Sequence, residues 1–209
     1  MRIRQTLGTS VAVAAAAVLA LATLATGASE TADAEAYCGE QGGNVVALTP
    51  YLFPGSDQQV EMAGPFHVCQ FISEEDGDPV QIAVDLLTLY SEQPTLAGIA
   101  YLSKVPSSDS GAAGANPAPT YCEEDLGGTE AFGTSASGAW VGELDPGMEA
   151  GATEPLGDTI VMCVFADRSA IDEFGLFYAS QGIVRGMDLS TVMRYQPDGD
   201  LPAVFDSTS

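Results

Sequence analysis

YCGEQGG at residues 37–43 and YCEEDLGG at residues 121–128 are two spellings of one word. The clearer copy is ANPAPTYCEEDLGG, residues 115–128. Asn116 is a good helix N-cap, and Pro117 sits at the first helical position, where its missing N–H costs nothing. Tyr121, Cys122 and Leu126 fall at one-face spacing, and Gly127 supplies the left-handed stop. The pattern predicts a short helix from Pro117 to Leu126. The first copy, TADAEAYCGEQGG at residues 31–43, follows the same plan. Thr31 caps it, Asp33 and Glu35 suit the positive end of the helix dipole, and Gly42 ends it.

Outward from the two words, the order of elements repeats. Asn44–Thr49 (NVVALT) reads as a strand leading into a Pro/Gly-rich loop, and Pro65–Ile72 (PFHVCQFI) as a second strand. Thr159–Phe165 (TIVMCVF) is its counterpart, with Cys163-Val164-Phe165 falling on Cys69-Gln70-Phe71. Asp76-Gly77 is a tight-turn signal. A further strand is expected near Ala139–Leu144, inside a Gly/Ala/Pro-rich insertion. Each half then closes with helix. Ser169–Asp172 resembles a capping box ahead of EFGLFY, with Gly182 as stop, and Val84–Tyr90 is the counterpart, readable as helix or as strand extension. TLAGIAYLSKV ends at Pro106, and LSTVMRYQ opens at Asp188 and ends at Pro197. Lys104 and Arg194 lie near the negative ends of these last two helices.

The expectation is an α+β fold of two tandem disulfide-stapled modules, each a short helix, a β-hairpin and a C-terminal helix. The modules span 29–106 and 116–209, with 107–115 (SSDSGAAGA) as linker by composition. Four cysteines, Cys38, Cys69, Cys122 and Cys163, allow three connectivities. Sequential pairing, Cys38–Cys69 and Cys122–Cys163, closes the shorter loops and staples each first helix to a strand. Crossed pairing between the halves is the alternative. Modules of this size need such help, because a small core supplies little surplus stability.

Residues 1–28 read as a secretory signal: Arg2 and Arg4, then the apolar run VAVAAAAVLALATLA, then small residues. That run is shorter than a spanning helix requires. A cut near Gly27 or Ala28 would keep the first helix whole. The expected location is therefore extracellular. The whole chain carries a formal net charge of −23, and removing residues 1–36 leaves 26 of its 29 acids against Lys104, Arg168, Arg185 and Arg194, a charge of about −22. Such a surface repels nucleic acid and anionic lipid, which excludes nucleic acid and stable membrane insertion as modes of action.

NPAPTYCEEDLGG, followed by CVFADRSAIDEFGLF, resembles a small exported domain of unknown function that carries a hemolysin label. Asn116, Pro117, Ala118, Tyr121, Cys122, Gly127, Gly128, Cys163, Phe165 and Asp167 carry the resemblance. It covers about residues 115–182 and, more weakly, 31–90. Arg168 stands where that family has Gly. The resemblance implies an exported, Cys-stapled α+β module, with no catalytic residues attached.

His67 is the one histidine, so any Ser-His-Asp or Cys-His chemistry would have to use it, and no GxSxG or similar nucleophile motif accompanies it. Glu74–Asp78 and Asp198-Gly199-Asp200 offer oxygen ligands for weak Ca²⁺ binding but lack the twelve-residue EF-hand spacing. No CxxC spacing suggests Zn²⁺, and neither a metal nor a cofactor is expected. Trp140, in GAWVGEL, and Tyr51, Leu52 and Phe53, in TPYLFPG, occupy equivalent loops of the two halves and are the candidate recognition anchors. The expected function is a non-enzymatic, acidic binding protein whose partner is an extracellular or envelope protein, with the contacts on loops 50–60 and 134–158. A secreted protease inhibitor, inserting one of those loops into an active site, is the alternative, and a hydrolase or a weak Ca²⁺-binding protein comes after it.

Overall fold

Both copies of the repeated word lie on helix and end at a glycine with positive φ, Gly42 at 83° and Gly127 at 61°. The computed structural model of the 209-residue chain describes residues 30–52, 60–61, 65–108, 116–131, 139–141, 159–201 and 204–205. The chain divides into two units, Met1–Asp33 and Ala34–Ser209. Of the first, only residues 30–33 are described, and they are helical; all that follows concerns the second. The signal-like segment 1–28, Phe53 and most of the two expected recognition loops lie outside the described residues.

The α+β class is as the sequence requires. In this unit helix α1 covers residues 34–40. Strands β1 (Asn44–Leu52), β2 (Val60–Glu61), β3 (Phe66–Glu75) and β4 (Asp78–Asp85) follow, then helices α2 (Leu86–Tyr90) and α3 (Leu96–Ser103). The second half holds α4 (Pro117–Thr120), which continues as one π turn (Tyr121–Asp125). It then forms β5 (Thr129–Ala131), β6 (Ala139–Val141), β7 (Thr159–Ile160), β8 (Met162–Val164), β9 (Ala170–Asp172) and α5 (Glu173–Ser180), with a 3₁₀ turn at Leu189–Thr191. Both disulfides pair sequentially, Cys38–Cys69 and Cys122–Cys163, each with 5.7 Å between Cα atoms.

All strand pairs are antiparallel, in the order β5-β8-β9-β4-β3-β1-β6-β7, with β2 on β1. Since β7 runs through Val161 into β8, the pairings close a ring: β1, β3, β4, β9, β8, β7, β6 and back to β1. Side chains alternate across a strand, and this sheet buries both faces. Cys69, Phe71, Ile82, Val84, Cys163 and Ile171 join the helices in one core. Leu48, Val68, Ala83, Ile160, Met162 and Ala170 meet in a second core on the other face.

Several contacts of one half have a twin in the other. Strands β1, β3 and β4 of the first half correspond to β5, β8 and β9 of the second, and the halves meet where β4 pairs β9. The meeting residues are themselves equivalent. Val84 lies opposite Cys69, Ile171 lies opposite Cys163, and Val84 pairs with Ile171. Tyr37 packs edge-on against Tyr90, and Tyr121 against Phe177. The tyrosine hydroxyls then cross over: Tyr37 donates to the Val192 carbonyl at 2.8 Å, and Tyr121 to the Val105 carbonyl at 2.7 Å. The two expected tandem modules, 29–106 and 116–209, thus share one sheet and one helical core in their described residues from Ala34 onward, within a single compact unit.

Several elements differ from their sequence reading. Val84–Tyr90 divides at Asp85, with strand before it and helix after it. Ser169–Asp172, expected as a helix cap, is mostly strand, and its last residue, Asp172, is the cap. The helix expected after Asp188 is one 3₁₀ turn, because its orphan groups find tertiary partners instead: Arg194 N bonds the Leu89 carbonyl at 3.0 Å and Leu189 N bonds the Tyr101 hydroxyl at 3.2 Å. Lys104, expected to face the helix dipole, is the left-handed C-cap of α3 at φ 46°.

The second glycine of each repeated word leaves room for the disulfide. A Cβ on Gly43 would lie 2.4 Å from Cys69 Sγ, and one on Gly128 2.5 Å from Cys163 Sγ. Gly43→Ala and Gly128→Ala should therefore each destabilise the oxidised protein by about 1–3 kcal/mol in urea unfolding. Gly39→Ala, in helix with nothing within 4 Å of its Cβ, should instead stabilise by about 0.5–1 kcal/mol. Equal effects at all three glycines would contradict the packing described.

Candidate functional site

Strand β1 has two partners in succession. Asn44–Leu48 pair with β3 of their own half, and Thr49–Tyr51 pair with β6 of the other half. Pro50 has no N–H to give the ladder, which suits a strand that changes partner at that point. The register sets Pro50 opposite Trp140 and Tyr51 opposite Ala139, while Leu52 lies opposite Val60 of β2. Tyr51 and Leu52 are thus strand residues, where the sequence suggested a loop. Trp140 lies on the strand expected near Ala139–Leu144, which ends at Val141 among the described residues. Two stretches read as separate loops of separate modules are neighbours in one ladder.

His67 sits on β3 opposite Ala47, and its Nδ1 is 3.1 Å from Glu35 Oε1. Both side chains are about 40% exposed (39% and 40%). A carboxylate on the imidazole is one element of a catalytic relay, but all four cysteines are in disulfides, so none is a thiol nucleophile beside it. Asp76 and Gly77, at φ 54° and 90°, form the tight turn joining β3 to β4. Among the described residues no cluster of three His, Cys, Asp or Glu is placed to hold a metal ion.

The polar centre of the molecule was not visible in the sequence. Asp85, 6% exposed, accepts from Leu87 N and Thr88 N through Oδ1, and from the Thr88 hydroxyl and Ala170 N (2.9 Å) through Oδ2. Burial raises its pKa against these hydrogen bonds. Its twin Asp172 caps α5 through Gly175 N at 2.6 Å, and burial pushes its pKa up to about 6, against the pull of that bond and of Arg185. Leu86 in the first half corresponds to Glu173 in the second, which is fully buried. An acidic residue directly before a predicted helix was the one available signal, and Asp85 hid in an apolar run.

Two less buried caps shift the other way. Burial acts upward on Asp167, but hydrogen bonds from Ser169 and from Leu96 N (2.8 Å) hold its pKa below the usual value. Burial likewise opposes, and Ser190, Lys104 and Tyr101 outweigh it, at Asp188.

Comparison of the chain with protein-family models, with curated proteins and with solved structures gave no match.

The carboxyl shifts set a stability profile. Asp172 is protonated more easily folded than unfolded, so its contribution is present below about pH 4 and is lost as pH rises through about 6. Asp167 and Asp188 contribute above their unfolded value of 3.8, and lose that contribution as pH falls through their lowered folded values. Denaturation followed from pH 3 to 8 should therefore show maximal stability near pH 4 and a fall between about pH 4 and 6. Asp172→Asn keeps a capping acceptor and should flatten the fall on the alkaline side, a change of up to about 3 kcal/mol. An unchanged profile in that variant would show that Asp172 does not titrate there.

Proposed function

We propose that the chain is an exported, acidic, non-enzymatic binding protein whose partner is an extracellular or envelope protein. The observation that carries the reading is the β1–β6 ladder, in which the strand bearing Tyr51 and Leu52 pairs with the strand bearing Trp140. A loop anchor binds at the entropic cost of being ordered, and a strand-borne anchor pays less of it. Paired residues of both strands, Pro50 and Tyr51 opposite Trp140 and Ala139, lie within the stretches expected to make contacts, 50–60 and 134–158. The formal charge of −23 favours a partner of opposite sign and argues against a lytic role of the kind the hemolysin resemblance would suggest. No described helix is long and apolar enough to cross a membrane.

The test uses immobilised, oxidised wild-type protein beside Tyr51→Ala and Trp140→Ala variants, exposed to envelope extract and culture medium of the producing cell. One partner should stay on the wild type at about 0.5 M salt, and its retention should fall at least about tenfold in the variants. Retention that salt abolishes, or that both variants preserve, would remove the ladder from consideration. A retained protease inhibited by the protein would move the reading to a secreted inhibitor.

A further inference from the structure

A concave surface elsewhere in the molecule shares no residue with the β1–β6 ladder. An open pocket of about 600 Å³ lies between the residues that follow α3, the end of the Tyr121–Asp125 turn, and Val204 with Phe205 near the C-terminus. That volume is in the range of small-ligand sites. Its apolar lining is Val105, Leu126, Val204 and Phe205. Leu126 is buried, Val204 is 46% exposed, and the Phe205 ring is held 6.1 Å from that of Phe165. The acidic lining is Glu124 and Asp125, and among the described residues no Lys, Arg or His contributes.

The two acids differ. Glu124 is exposed, whereas Asp125 accepts Ser108 N at 3.0 Å, which fixes its carboxylate in place. Both stand in the last turn of the helical segment 117–125, where the backbone dipole is negative and favours a cation. Apolar wall, two carboxylates and a helix C-terminus point to one kind of occupant.

We propose that this pocket binds a short cationic-apolar peptide segment. A Lys or Arg of the segment meets Glu124 and Asp125, and an adjacent apolar side chain lies against Val204 and Phe205. The neighbouring stretches of the chain itself are poor occupants. Residues 109–115 and 206–209 carry Asp109 and Asp206 and no base, so they repeat the charge of the pocket. A lone ammonium ion would leave the apolar wall unfilled. The proposal goes beyond the ladder reading and stands or falls separately from it.

The experiment is an NMR titration of the full, oxidised, ¹⁵N-labelled chain with acetyl-Lys-Phe-Lys-amide, acetyl-Glu-Phe-Glu-amide and n-butylamine. The cationic peptide alone should shift amides at 105–108, 124–127 and 204–205. Its affinity should fall about threefold in Glu124→Gln and about tenfold when Asp125→Asn is added, and should weaken several-fold from about 0.05 to about 0.5 M salt. Because Asp125 also anchors Ser108, the exposed Glu124→Gln variant is the control for a fold defect. Shifts spread over the whole acidic surface, equal response to the acidic peptide, or an affinity that Glu124→Gln leaves untouched would overturn the site. Butylamine binding as tightly as the peptide would overturn the peptide assignment.

Discussion

A carboxylate buried without water has to find donors for both oxygens, and Asp85 finds them in both halves of the chain. Its own helix supplies Leu87 N, Thr88 N and the Thr88 hydroxyl, and the other half supplies Ala170 N. The position that ends β4 and starts α2 is therefore also the position where the halves join. Removing one partner of such a group leaves a desolvated charge unsatisfied, which costs far more than the bond contributes. That constraint holds the β4–β9 junction in register at Val84 and Ile171, and the rest of the sheet is built outward from it.

The disulfides act within halves and the hydrogen bonds act between them. Cys38–Cys69 and Cys122–Cys163 each tie a helix to a strand of the same half. The cross-half bonds from Tyr37 to Val192 and from Tyr121 to Val105 then lock each half onto the segment after the other's last helix or turn. Burial pushes the Tyr121 hydroxyl up to about 12, and the same holds for Tyr101 between Asp188 and Leu189 N, so both remain donors at any ordinary pH. The α3 start is held in the same manner, by Asp167 and Ser169 of the second half. Such interlocking leaves neither half with a complete core.

Much of this was legible where the signal is local. Asn116 and Pro117 opened a helix, Gly42 and Gly127 closed one, Asp76-Gly77 turned a hairpin, and Gly182 ended α5 at φ 77°. Each depends on the backbone preference of one or two residues. The reading faltered where an apolar stretch could be strand or helix. VDLLTLY carries enough β-branched and aliphatic residues for either, and the Asp85–Ala170 bond decides where one becomes the other. It faltered again at LSTVMRYQ, whose helical pattern was overridden by partners on Leu89 and Tyr101. Tyr51 and Leu52, candidate recognition residues, read as loop because their flanking prolines look like loop, while Pro50 in fact occupies a strand at its change of partner.

By itself the sequence determined the duplicated plan, the α+β class and the acidic composition, and favoured sequential over crossed pairing of the four cysteines, because these follow from repeated words, composition and loop closure. Only the tertiary structure decided that the halves share one sheet and both of its cores. It alone brought β1 against β6, and it buried Asp85 and Asp172 at the two strand ends. The reason is physical. Periodicity and capping are properties of neighbours along the chain, whereas β4 meeting β9 depends on which exposed edge and which unsatisfied carboxylate find each other across 85 residues.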